Sequence, residues 1–240
     1  MIALDDPEIL RGTMNRLSDR VAAEGFANDA LPGELEQIVG FEDCAWLFSS
    51  NVVNHFAARL MINEAAHLFG LIRMFDRTPR VVEIGRFRGG TTLLMAAAGA
   101  DVLSIDIDEQ LRESDQSLRL ALSRLGLGGL VRLATADSST FPIDAGSVDL
   151  LFIDGDHSYE GASRDVSHWL PSLRPGGILV LHDATRAEPS RPWNRPSDSE
   201  TLGVRQLAGE LRSRTDFDEM TAPGTLAQFR YAGSGESVAG

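Results

Sequence analysis

Six carboxylates and two imidazoles of this chain, Glu83, Asp106, Asp137, Asp154, Asp156, Asp183, His157 and His182, stand where a polypeptide can gather chemistry. Glu83 lies near the end of Val81-Val82-Glu83-Ile84 and is followed by Gly85. Asp106 closes Val102-Leu103-Ser104-Ile105, and Asp137 follows Leu133-Ala134-Thr135-Ala136. Asp154 ends Leu150-Leu151-Phe152-Ile153 and opens Asp154-Gly155-Asp156-His157, while His182-Asp183 ends Ile178-Leu179-Val180-Leu181. Short apolar runs of this kind, closed by turn residues, read as buried parallel strands. The ends of parallel strands share one edge of a sheet, where open α/β sheets bind ligands. Any one of these acids could be a helix cap or a turn residue. A carboxylate at every strand end points to a polar, acidic site. Asp154 and Asp183 end neighbouring strands, and such a pair could hold one hard divalent cation, with waters and substrate oxygens as further ligands.

The turn after the first strand narrows the ligand. It reads E-x-G-x-x-x-G from Glu83 to Gly89 and leads into Gly90 and the helix-like run Thr91 to Ala98. A dinucleotide-binding turn reads G-x-G-x-x-G instead. Gly85 lets a ligand approach the backbone, and Gly89 lets a helix start close to the strand. A carboxylate at Glu83 would repel a pyrophosphate and suits an ammonium or a sulfonium. Asp106 falls about twenty residues beyond Gly85, where a doubly wound fold places the acid that holds ribose hydroxyls. The chain has no G-x-S-x-G, the turn of a serine hydrolase.

The elements that must position these residues alternate from Arg80 onward. Strands are expected at 80–84, 101–106, 130–134, 148–153 and 178–181, with helices over 91–98, Glu109–Leu125 and Glu160–Leu173 between them. Residues 184–200 show no apolar period and hold Pro189, Pro192 and Pro196 with Arg186, Arg191, Trp193 and Arg195; they read as a loop. A helix from Thr201 to about Arg214 follows. Two closing strands, Phe217–Thr221 and Leu226–Tyr231, flank Pro223-Gly224. Residues 1 to about 78 read as helical. One helix runs from Pro7 to about Glu24, there is a break over Gly25–Gly33, and a long helix spans Val52 to about Phe75. The expected division is a helical cap over 1–78 and an α/β domain over 79–240, a doubly wound Rossmann-like sheet whose final hairpin introduces an antiparallel strand.

Composition sets outer bounds. The chain has 240 residues, of which 43% are hydrophobic, and a formal net charge of −13. That acidity argues against a general nucleic-acid binder. Cys44 is the single cysteine, so neither an intrachain disulfide nor a cysteine-based zinc site is available. No apolar run is long enough to span a bilayer, and the first residues lack a signal-peptide pattern, so a cytoplasmic location without membrane partners is expected. Trp46, Leu47 and Phe48 form an apolar patch that suits self-association through the cap.

The run Phe152-Ile153-Asp154-Gly155-Asp156-His157-Ser158-Tyr159-Glu160-Gly161, with Asp165, Trp169, Pro175-Gly176-Gly177, His182-Asp183 and the E-x-G-x-x-x-G turn, resembles a branch of the class I S-adenosylmethionine (SAM) methyltransferases. That branch holds macrocin-type sugar O-methyltransferases of antibiotic pathways, and the resemblance covers roughly residues 80 to 183. It implies SAM as cofactor, with Gly85, Gly89 and Glu83 beside its methionine part, Asp106 at the ribose, and Asp137 and Ser138 by the adenine. It implies a divalent cation, magnesium by preference, held by Asp154, Asp183 and the residue before Asp183. Relatives often carry an acid at that last position. This chain carries His182, a poorer magnesium ligand, and Asp156 or water could take its place. His157 resembles the general base of these enzymes, and its imidazole titrates in the range that suits removal of a hydroxyl proton. Asp156 is the competing base. The implied reaction is in-line transfer of the SAM methyl to a sugar hydroxyl of a small molecule, a nucleotide sugar or a glycoside. Arginines of the 186–195 loop would then be candidates for phosphate contacts. A catechol-like phenol as acceptor, or a SAM-binding protein without catalysis, are the alternatives.

Overall fold

The central apolar runs become strands because they can bury their side chains only by pairing. The computed structural model describes residues 37–47, 58–107, 112–185 and 202–233. Strands β1 (Arg80–Ile84), β2 (Asp101–Asp106), β3 (Val131–Thr135), β4 (Val148–Ile153), β5 (Leu173–Leu181), β6 (Phe217–Met220) and β7 (Ala227–Tyr231) form a mixed sheet in the order β3-β2-β1-β4-β5-β7-β6. Among the described residues there are five α-helices, α1 (Ile62–Arg73), α2 (Gly90–Ala97), α3 (Arg112–Arg124), α4 (Tyr159–Trp169) and α5 (Leu202–Arg212). This is the expected doubly wound α/β architecture. Strand β7 runs antiparallel to both of its neighbours, as the closing hairpin predicts.

Two compact units divide these elements. The first holds residues up to Pro79, Arg86–Ser104 and Asp108–Thr135. Here α1 buries Ile62, Ala65, Ala66, Leu68, Phe69, Leu71 and Ile72. All eight residues of α2 are buried, as expected of a helix apolar on every side. Phe41, in a 3-10 segment over Phe41–Leu47, packs its ring 5.9 Å from that of Phe69. Arg86 is 2% exposed. Its guanidinium donates to both carboxylate oxygens of Asp115 on α3, at 2.9 and 3.1 Å, and to the carbonyls of Ser104 and Ala134 at 3.1 and 3.0 Å. One side chain thereby ties α3 to β2 and β3.

The second unit holds Arg80–Gly85, Ile105–Ile107 and the chain from Ala136. Every residue of β4 is buried, the pattern of a parallel strand covered on both faces. Its register is Leu150 with Val81 and Ile178, and Ile153 with Ile84 and Leu181. Asp149 is fully buried within this strand, and its carboxylate is met by Arg174 and by the Arg80 N–H at 2.7 Å.

Several boundaries differ from the sequence reading, among them the end of the helix expected over Glu160–Leu173, which falls at Trp169. The helix expected over Val52 to about Phe75 is not continuous: residues 58–61 are not helical and α1 begins at Ile62, while residues 52–57 lie outside the described residues. Glu64 supplies the reason: its carboxylate accepts the Met61 N–H at 2.7 Å, half of a capping box that starts a helix there. Strand β5 starts at Leu173 rather than Ile178, because Leu173 already pairs with Val148 and Gly176 turns through a φ of 80°. The Pro7–Glu24 helix, Phe48, the side chains of Trp46 and Leu47, and the 186–195 loop with Trp193 lie outside the described residues.

Candidate functional site

The register between β4 and β5 sets Ile153 beside Leu181, so the next residues, Asp154 and His182, leave the sheet side by side. Backbone bonds continue that pairing. The Asp154 N–H donates to Ile84 O at 2.8 Å and the His182 N–H donates to Ile153 O at 3.0 Å. His182 Nδ1 lies 2.7 Å from Asp154 Oδ1 and 3.6 Å from Asp183 Oδ2. His157 Nε2 lies 3.4 Å from Asp154 Oδ1 and 3.7 Å from Asp183 Oδ2. Each imidazole thus stands between the same two carboxylates. Asp154, His157 and His182 present donor atoms that all lie within 4.8 Å of one another. His157 Nε2 is covered from solvent and faces these carboxylates.

Asp183 adopts a φ of 53°, the left-handed region that few residues other than glycine, asparagine and aspartate enter. Thr225, in the turn before β7, holds it there. The Thr225 hydroxyl accepts the Asp183 N–H at 3.3 Å, and its carbonyl accepts the N–H groups of Ala184 and Thr185 at 2.8 and 3.0 Å. Strain held at a site by surrounding bonds is a recurring mark of function.

Charge in the cluster is redistributed accordingly. Burial pushes the Asp154 carboxyl up, but His182 and His157 together outweigh it and bring its pKa down to about 2. The Asp154 carboxylate raises the His157 pKa above its ordinary value, against burial, which lowers it.

His157 is fixed by its own loop and by α5. Ser158 caps α4, accepting the Gly161 N–H at 3.0 Å. The Val204 N–H donates to His157 O at 3.1 Å, and Tyr159 donates its hydroxyl proton to Glu210 at 2.8 Å. Gly203 makes this approach possible, because a Cβ there would overlap the backbone of His157, Ser158 and Tyr159. Asp156 faces elsewhere. It is exposed, its carboxylate accepts the Ser158 N–H at 2.8 Å, and it lies against Gly161 at the start of α4. The structure therefore brings Asp154, His157, His182 and Asp183 together and leaves Asp156 outside the group.

The expected cofactor residues occupy strand ends and turns. Glu83 is fully buried in β1, paired with Phe152. Gly85 has a φ of 90° and packs so closely on the Asp154 backbone that a Cβ would collide with it. Its N–H donates to Ile105 O at 3.0 Å. Asp106 ends β2 half-buried, and its carbonyl accepts the Ala136 N–H at 2.9 Å. Asp137 is exposed, and bonds from the Ser139 hydroxyl and N–H, at 2.7 and 2.9 Å, hold its pKa below the usual range. Ser138 donates to Asp165 at 2.5 Å, and its carbonyl accepts the Trp169 indole N–H at 3.0 Å. Burial raises the Asp165 pKa, opposed by the Ser138 bond. Gly89, in the first unit, caps α2 with a φ of 81°. Carboxylates and a hydroxyl at these positions offer hydrogen-bond acceptors to a nucleoside and a positively charged ligand, which is what SAM presents. The donors of the Asp154 cluster likewise fit a divalent ion: adjacent ligands, each about 2.1 Å from one ion, lie about 3 Å apart, close to the spacings observed.

Sequence reasoning passed over Arg86, Gly203 and Thr225. A loop arginine, a helix glycine and a hairpin threonine carry no local signal, and each acts on residues distant in the chain.

These elements compose the Rossmann-like fold of the SAM-dependent methyltransferases. Residues 82–184 match a family described as a methyltransferase domain. Solved structures share the fold. The O-methyltransferase TomG of Streptomyces achromogenes, involved in tomaymycin synthesis and solved with SAM, superposes with a TM-score of 0.53 at 20% identity, over 74% of this chain and 82% of that one. The S-adenosylhomocysteine-bound methyltransferase PaMTH1 of Podospora anserina gives 0.55 at 18% identity, over 73% and 80%. Among curated proteins, the uncharacterized protein R132 of Acanthamoeba polyphaga mimivirus is 30% identical over 110 residues, which is 42% of this chain and 50% of that protein. The uncharacterized protein y4gI of Sinorhizobium fredii is 42% identical over 41 residues, 17% of this chain and 4% of that protein. The chain thus spans half or less of the length of these curated relatives. Among the described residues no helix is long and apolar enough to cross a membrane.

Proposed function

We propose that this protein is a divalent-metal-dependent O-methyltransferase that transfers the methyl group of SAM to a hydroxyl of a small sugar-bearing molecule of secondary metabolism, in the cytoplasm. The observation that carries the reading is the convergence of Asp154, His157, His182 and Asp183 at the ends of adjacent strands, beside Gly85 of the E-x-G-x-x-x-G turn. When bound, SAM supplies an electrophilic methyl and a divalent ion supplies a charge that makes an alcohol more acidic.

The chain's own residues do the rest. Asp154, His182 and Asp183 would hold the ion. His157, whose Nε2 lies 3.4 Å from Asp154 Oδ1, removes the hydroxyl proton. The Val204 bond to its carbonyl keeps the ring's backbone in place. Asp106 and Ser138 hold the nucleoside, and Glu83 sets a negative field near the positive part of SAM. Holding both reactants in line contributes much of the acceleration. The sugar acceptor is supported by the resemblance of the Asp154–Gly161 motif to that branch.

Calorimetry of SAM binding, followed by a methylation screen, tests this. Nucleotide sugars, glycosides and catechols would be offered with SAM and a divalent ion, with EDTA as control. EDTA-sensitive transfer to a sugar hydroxyl is the expected result. Transfer to catechols alone replaces the acceptor class, SAM binding without transfer to any acceptor makes the protein a binder, and absence of SAM binding overturns the reading.

A further inference from the structure

We propose that the ion centre selects an imidazole-binding first-row ion, in the series from manganese to zinc, over magnesium, with His182 Nδ1 as the deciding ligand. This rests on the methyltransferase reading and deepens it by naming the ion class.

The argument begins with where His182 Nδ1 is held. It lies 2.7 Å from Asp154 Oδ1 and 3.6 Å from Asp183 Oδ2, so it points between the two carboxylates that any ion here must use. Burial and the hydrogen bond to Asp154 hold the ring in this place. His182 is 6% exposed, its N–H is fixed to Ile153 O, its ring lies 6.4 Å from that of Phe152, and the next residue is clamped by Thr225. An ion seated between Asp154 and Asp183 therefore meets a nitrogen. A second imidazole, His157, flanks the same two oxygens at 3.4 and 3.7 Å and adds to the nitrogen character of the surroundings.

Magnesium demands near-ideal octahedral oxygen coordination and gives up its waters reluctantly. Imidazole suits iron, nickel, copper and zinc, and carboxylates accept manganese as well. Two carboxylates with a nitrogen held between them thus disfavour magnesium relative to an all-oxygen site of the same shape.

Pulsed electron paramagnetic resonance of Mn2+ added to the EDTA-stripped full chain tests this without reference to turnover. Modulation from a directly bound 14N is expected, replaced by a 15N pattern after labelling of histidine. Calorimetry with MnCl2, CoCl2 and MgCl2 should give a Co2+ to Mg2+ affinity ratio that falls about tenfold or more in His182→Asp, with Mg2+ binding strengthened. An all-oxygen signature in the wild type, an unchanged ratio in the variant, or no ion binding overturns the proposal. Should the variant fail to fold, the labelled spectrum of His157→Gln, in which His182 is the remaining imidazole beside Asp154, decides the matter. SAM titrated in parallel separates the two readings. SAM binding without a nitrogen signature refutes only the ion class, and loss of both refutes the methyltransferase reading as well.

Discussion

Substituting alanine for Gly203 should cost turnover more than it costs folding. A Cβ at this position would lie 2.5 Å from Ser158 C and 2.7 Å from His157 O, and closer still to Tyr159 N. All three are backbone atoms, so no side chain can rotate aside. Restoring ordinary van der Waals separation requires a movement of about 1 Å between the start of α5 and the His157–Tyr159 turn. Overpacking of this kind costs about 1–3 kcal/mol, and at about 2–4 °C per kcal/mol for a chain of this size Tm should fall by about 2–12 °C. The functional loss is larger, because a displacement of about 1 Å at a reacting group costs about 100-fold in rate. His157 should move with its carbonyl, which bonds the Val204 N–H at 3.1 Å. The assay is kcat and KM for SAM and acceptor below the transition temperature, with SAM affinity by calorimetry. The expected pattern is a fall in kcat of about two orders of magnitude with SAM affinity preserved. A Gly203→Ala protein with wild-type kcat would refute the claim that α5 positions His157.

Three further outcomes follow from the same geometry. His157→Gln should bind SAM as the wild type does and lose about 100-fold or more in kcat; an undiminished kcat would remove His157 from the base role. Arg86→Met leaves Asp115 and two strand carbonyls without their donor, and should lower stability by about 3 kcal/mol, the low end for a broken buried pair because Asp115 retains some contact with water; urea unfolding measures this, and a loss below about 1 kcal/mol would contradict the staple described for the first unit. Asp165 carries a pKa raised by burial, so its favourable contribution is present below the unfolded value of about 3.9 and declines as pH rises through the folded value. Asp165→Asn should therefore gain stability relative to the wild type as pH rises from 4 to about 7, and parallel urea midpoints across that range would contradict the assignment.

The strand ends could be read in the sequence because β1, β4 and β5 are apolar runs closed by Gly85, Asp154 and His182-Asp183, and parallel pairing leaves little freedom in how such runs assemble. The neighbourhood of Asp154 and His182 follows from that pairing alone. What escaped was decided at longer range. Adjacent in sequence, His157 and Asp156 compete for the base, with His157 preferred; the Ser158 N–H bonded to the Asp156 carboxylate and the carboxylates around His157 separate them in space. The long helix read over 52–75 is interrupted at 58–61, because apolar residues such as Leu60 continue the period while Glu64 caps the chain at Met61. Arg86 in a glycine-rich turn resembles a solvated charge, and its burial becomes visible only when Ser104, Asp115 and Ala134 are brought around it.

Thr225 gives the site an order of assembly. The residues that would hold the ion are complete once Asp183 has been made, yet the bonds that keep Asp183 in its left-handed turn come from a threonine 42 residues later. During synthesis at about 5–20 residues per second, the strand ends exist for some seconds before their latch. A nascent chain halted between Asp183 and Thr225 carries the whole donor set with its last member free to relax. Were the proposed ion to bind here, its site would take its final geometry only when the hairpin of β6 and β7 closes.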